Sequence, residues 1–76
     1  MVIAYVLITA DTGEVDRLLD EVSAVDGVVD AHVVAGDVDL VAKIDVESPQ
    51  DVKRVAADAF QSIDGVVDTE TYIGMD

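Results

Sequence analysis

Asp37 and Asp39 stand two positions apart in the segment Ala35-Gly36-Asp37-Val38-Asp39-Leu40. Residues two apart on an extended strand share a face, so this spacing predicts two carboxylates side by side just past a glycine corner. Carboxylates beside free backbone N–H groups suit a small zwitterion. The acids take its ammonium, and the N–H groups take its carboxylate. The simpler account of the same residues is a charged hairpin mouth in an acidic protein.

Other chemistry is poorly supplied. His32 is the only histidine and lies in a predicted strand with none of Ser23, Ser48 or Ser62 near it in sequence, so a Ser-His-Asp arrangement has no basis. The chain has no cysteine, which removes thiolate nucleophiles, thiolate metal sites and disulfides. The carboxylates show no EF-hand-like spacing. Gly13, Gly27, Gly36, Gly65 and Gly74 are dispersed and form no phosphate-cradling loop. The expectation is a non-catalytic protein without metal or cofactor.

The elements that must position the Asp37–Asp39 segment follow from hydropathy. Val2–Thr9 is a continuous apolar run and predicts a strand covered on both faces. Asp11 is placed to cap a helix, with Glu14 completing a capping-box spacing. Val15, Leu18, Leu19 and Val22 then form one helical stripe. Gly27 ends this unit, and Val28–Ala35 reads as a second strand. After a Gly36-Asp37 hairpin corner, Val38–Val46 alternates as a third. Ser48-Pro49 opens a second helix, with a stripe through Val52, Val55, Ala56, Ala59, Phe60 and Ile63. Gly65 stops it, and Val66–Ile73 is the last strand.

The two halves echo each other. Asp26-Gly27-Val28-Val29-Asp30 recurs as Asp64-Gly65-Val66-Val67-Asp68, an offset of 38 in a chain of 76 residues, and at that offset Leu40–Val46 falls on Val2–Ile8. A duplicated strand-helix-strand unit with right-handed crossovers closes into βαββαβ. The predicted fold class is therefore α+β, ferredoxin-like, a four-stranded antiparallel sheet with two helices on one face. The single domain spans 1–76. Acylphosphatases share this fold, but the stretch after the first strand here, Ala10-Asp11-Thr12-Gly13, lacks their arginine, and copper-chaperone-like domains need a CxxC there.

The helices leave one sheet face uncovered. Strand one nonetheless offers Ile3, Tyr5 and Leu7 on one side and Val2, Ala4, Val6 and Ile8 on the other, and strand two offers Val29, Ala31 and Val33 as well as Val28 and Val34. The helix-free face is expected to be buried in a homo-oligomer.

Charge narrows the partners. Seventeen acids stand against Arg17, Lys43, Lys53 and Arg54, for a net charge of −13. Four scattered cations cannot neutralise a phosphate track, so direct nucleic-acid binding is not expected. The acids run the whole length, from Asp11 to Asp76, and do not form an acidic block. That spread favours adaptation to molar salt, where charges are screened within about 3 Å, over a docking face for a basic partner. No apolar run reaches the roughly 20 residues of a membrane span, and no basic signal start is present. The expected location is the cytoplasm.

Taken in order, the apolar first strand, Gly27-Val28, Gly36-Asp37-Val38-Asp39-Leu40, Gly65-Val66 and Thr69-Glu70-Thr71 resemble the ligand-binding (RAM) domain of the Lrp/AsnC, or feast/famine, regulators. The resemblance covers nearly the whole chain and implies a stand-alone form without the helix-turn-helix. It implies a sheet-to-sheet dimer, assembly of dimers into rings, often octamers, and an amino acid or similar small effector bound between dimers. By position, the site it implies comprises Gly36, Asp37 and Asp39, with Val34 and Ala35 lining it and Thr69 and Thr71 beside it. The expected output is modulation of transcription by co-assembly with full-length Lrp/AsnC regulators. Two alternatives remain: a structural or adaptor subunit, and an ACT-like allosteric domain with Gly13 near that family's usual glycine.

Overall fold

The computed structural model describes residues 1–76. Strand β1 (Val2–Ala10) leads to helix α1 (Val15–Ser23), then β2 (Val28–Val33) and β3 (Leu40–Val46). Helix α2 (Pro49–Lys53) runs on as a π-helical stretch (Arg54–Phe60), and β4 (Val66–Ile73) closes the chain. The sheet order is β2-β3-β1-β4, with every neighbouring pair antiparallel. This is the predicted ferredoxin-like α+β arrangement.

Both helices lie against one face. Ala4, Val6 and Ile8 of β1 alternate inward, as do Leu40, Ala42, Ile44 and Val46 of β3. They meet Leu18 and Val22 of α1 and Val52, Val55, Ala56 and Phe60 of the second helix. Every buried residue is apolar, so no polar side chain has to be satisfied inside. No helix is long and apolar enough to cross a membrane.

The two Asp-Gly-Val-Val-Asp copies build the same corner. Gly27 and Gly65 have φ of 102° and 100°, and Val29 and Val67 each fall at a register shift, where a strand carries one extra residue. Their partner strands, however, correspond at a different offset. Val28 lies opposite Ile44 and Val66 opposite Ala10 (44 − 10 = 34). The main chain agrees: Asp45 donates to the Gly27 carbonyl at 2.9 Å and Asp11 to that of Gly65 at 3.0 Å (45 − 11 = 34). The alignment of Leu40–Val46 on Val2–Ile8 is thus corrected by four residues. Buried helix positions follow the same offset, Leu18 with Val52 and Val22 with Ala56, both 34 apart. The four additional residues enter after Ala56, in the π-helical part that carries Phe60 into the core.

Three local expectations change. Helix α1 begins after Glu14 with no side chain capping it. Asp11 is instead held by its N–H on Gly65, and the Thr12 hydroxyl accepts the Glu14 N–H at 3.2 Å. Strand β2 ends at Val33 and β3 begins at Leu40, so residues 34–39 form a six-residue connection and not a two-residue corner. The β2 bulge also resets that strand's alternation. Val28 and Ala31 pack against the core, whereas Asp30 and His32 pair with Lys43 and Val41 on the helix-free face. The apolar residues that the ladder places on that face are Ile3, Tyr5 and Leu7 of β1, Val41 of β3 and Tyr72 of β4, and the bulge residues Val29 and Val67 are exposed apolar side chains as well. Lys43, Asp45, Asp30, His32 and Glu70 surround the ladder patch.

Candidate functional site

The 34–39 connection emerges where β1 outruns β3. The last β1–β3 pair is Ile8 with Leu40, leaving Thr9 and Ala10 beyond it. Asp39 fills that gap with three hydrogen bonds. Its N–H donates to the Ile8 carbonyl at 2.9 Å, and its carbonyl accepts the Val34 N–H at 2.9 Å. Its carboxylate oxygen Oδ2 accepts the Ala10 N–H at 2.8 Å. A backbone donor left over at a strand end costs free energy unless paired, and Asp39 supplies the partner.

This arrangement corrects the expected pairing of Asp37 with Asp39. The two are not on one strand face, because residues 36–39 bend and β3 starts only after them. Asp39 is half-buried and turned to β1, whereas Asp37 is exposed. The N–H groups of Ala35, Gly36, Asp37 and Val38 have no partner within the chain. The loop thus presents one free carboxylate and a run of four free N–H donors, with Val34 half-buried at its base.

Thr69 and Thr71 lie elsewhere. Thr69 is opposite Ile8 and Thr71 opposite Val6, both on the helix side of edge strand β4. Since Ile8 also pairs with Leu40, Thr69 is two strand spacings, roughly 10 Å, from the start of β3. Its hydroxyl accepts the Gln61 Nε2–H at 3.0 Å, while Thr71 is exposed. Within one chain the two threonines and the loop do not converge. Two shallow clefts lie away from both groups. One, of about 260 Å³, lies between Gly27 and Arg54 and is lined mainly by Asp26, Asp45, Glu47 and Asp51; the other, about 230 Å³, runs along β2 from Ser23 to Ala31.

None of the four basic side chains forms an ion pair or hydrogen bond with a residue of the loop. Arg17 is committed to Glu21 at 2.5 Å, Glu14 at 3.6 Å and the Asp64 carbonyl at 3.1 Å. The hydrogen bond with Glu21 raises its pKa further, so it stays charged throughout. Arg54 faces Asp51 at 3.8 Å. Lys43 lies on the helix-free face, between Tyr5 and Asp30. An anionic group at the loop would meet the unpartnered backbone N–H donors of residues 35–38. His32 Nε2 lies 3.1 Å from Asp30 on the exposed edge, with no hydroxyl partner, and no three acidic or histidine side chains cluster to hold a metal. On β4 the Tyr72 hydroxyl donates to the Glu70 carboxylate, which pushes the phenol pKa up.

A sequence model of the Lrp/AsnC ligand binding domain matches residues 3–76. The chain belongs to this family. An uncharacterised HTH-type transcriptional regulator of Pyrococcus abyssi is 30% identical over 76 residues, covering 96% of this chain and 51% of that protein. The chain thus spans about half the length of the curated relatives it matches. The crystal structure of TTHA0845 from Thermus thermophilus superposes with a TM-score of 0.94 at 28% identity, covering all of this chain and 95% of that one. The transcriptional regulator NMB0573 of Neisseria meningitidis, solved as a complex with L-Met, shares the fold at a TM-score of 0.83 and 14% identity, over 99% of this chain and 50% of that one. The Lrp/AsnC family is one of transcription regulators, and this chain matches its ligand binding domain.

Proposed function

We propose that this Lrp/AsnC domain is a non-catalytic, cytoplasmic sensor that binds a small amino acid at the 34–39 loop and converts binding into a change of assembly. The observation that carries the reading is the loop itself. Asp37 can take an ammonium, and the unpartnered N–H groups of Ala35 to Val38 can take a carboxylate, with no basic side chain needed. The L-Met complex of the Neisseria relative supports this ligand class.

The loop is open in one chain, so a second subunit must complete the enclosure. Dimers form through the patch of Ile3, Tyr5, Leu7, Val41 and Tyr72, and their further assembly into a ring brings the second wall to the loop. Thr69 and Thr71, remote within the chain, contribute from a neighbouring copy. The output is co-assembly with full-length Lrp/AsnC regulators, modulating transcription without direct contact to nucleic acid. The test is native mass in high salt, with and without each amino acid, alone and mixed with such a regulator. Ligand-dependent change in subunit number or mixed assembly supports the proposal; constant mass and no mixing overturn it.

A second reading, a structural subunit with no effector, is favoured by one observation. Neither cleft of the single chain touches the loop. Under it, the protein assembles constitutively and no amino acid alters its stability.

A further inference from the structure

Sequence spacing makes Asp37 and Asp39 equivalent, whereas their surroundings do not. Asp39 is bound on three sides to its own fold: to Ile8 and Val34 through its main chain, and to Ala10 through its carboxylate. Asp37, two residues earlier, is exposed and makes no hydrogen bond through its side chain.

We infer that the two acids divide the work. Asp39 is a positioning residue that latches the loop to the end of β1, and Asp37 alone reads a ligand's positive charge. The latch stands on the geometry just described. The assignment of Asp37 rests on the amino-acid-binding reading above. An acceptor oxygen on residue 39 is what the latch requires, and a negative charge is not. The main-chain bonds to Ile8 and Val34 hold residue 39 in place whatever its side chain, so loss of the carboxylate releases Ala10 and leaves β3 intact. Earlier in the loop Gly36 has a φ of 155°, and no heavy atom lies near an added Cβ. Four unpartnered N–H groups and Asp37 then lie between Val34 and Asp39, which are bonded to each other. Fixing them beforehand reduces the ordering cost a ligand must overcome.

Asp39→Asn, Asp39→Ala and Asp37→Asn variants of the full chain in molar KCl separate these roles. Amide hydrogen exchange at Ala10 reads the latch without any ligand, and thermal shift against each of the twenty amino acids in turn reads binding. Asp39→Asn keeps an acceptor and should preserve both Ala10 protection and the ligand response. Asp39→Ala should speed Ala10 exchange by about tenfold, as expected for one lost hydrogen bond, and weaken the response. Asp37→Asn should abolish the response with Ala10 protection unchanged. Unchanged Ala10 exchange in Asp39→Ala overturns the latch. Loss of ligand response in Asp39→Asn with Ala10 still protected makes Asp39 the charge reader and overturns the division. If no amino acid shifts wild type, the sensing reading and the role of Asp37 fall together, and the exchange data still decide the latch.

Discussion

At the residue scale, the repeated glycines hold the fold and the Gly36 loop displays chemistry. A Cβ on Gly65 would lie 2.8 Å from Thr12 Cγ2, and one on Gly27 would lie 3.0 Å from Val46 Cγ1, each at a φ that side chains rarely adopt. Gly27→Ala and Gly65→Ala should each lower unfolding free energy by about 1–3 kcal/mol, measured by urea titration in high salt. Glu70 has a spectroscopic signature. Its bond with Tyr72 raises the folded-state phenol pKa, so this contribution to stability is complete below the unfolded phenol pKa and is lost as pH rises through the raised value. Glu70→Gln should move the ultraviolet titration of Tyr72 to lower pH. The Gly36-Asp37-Val38-Asp39 motif was legible because glycine and acid spacing is local. The partner of Asp39 was not, since Ala10 lies 29 positions away and a backbone N–H carries no residue signature.

At the element scale, strands and helices could be read from periodicity, since Leu18, Val22, Val52, Val55, Ala56 and Phe60 form the buried stripes it predicts. The ends of β2 and β3 could not. Val34, Ala35 and Val38 have strand-like character, but the bend through Gly36 and the latch of Asp39 draw them out of the ladder. The four-residue shift between halves was hidden for a related reason. The strands are runs of Val, Ile, Ala and Leu that align at several offsets, and the exact repeat at 38 masked the 34 that the sheet uses. The added residues end in Phe60, the largest buried side chain. Phe60→Ala should cost about 3–5 kcal/mol by the same urea titration. The corresponding loss in Ala59→Ser, half-buried on the same stretch, should be much smaller.

At the scale of the whole molecule, two surface properties bear on the proposed assembly. The helix-free patch is apolar at its centre and charged at its rim, the usual anatomy of a specific interface. Leu7→Asp places an unpaired carboxylate at that centre, with a desolvation cost of several kcal/mol, and should leave a folded monomer by native mass. A charge of −13 on a body with a Cα radius of gyration of 11.3 Å repels itself strongly unless screened. Circular dichroism and native mass should therefore record loss of oligomer, or unfolding, below a few tenths molar salt. Equal stability in dilute buffer and molar KCl would instead mark the acidic surface as a docking face.

The claim that unites these scales is that the anchored loop binds a small amino acid. Thermal unfolding of the wild-type chain in molar KCl, against each of the twenty amino acids, tests it most directly. A ligand at about 100 times its dissociation constant contributes about 2.7 kcal/mol, which for a domain this small raises the midpoint by on the order of 10 °C. At least one amino acid should give such a rise, and the rise should disappear in Asp37→Asn. An unchanged midpoint in all twenty would contradict it.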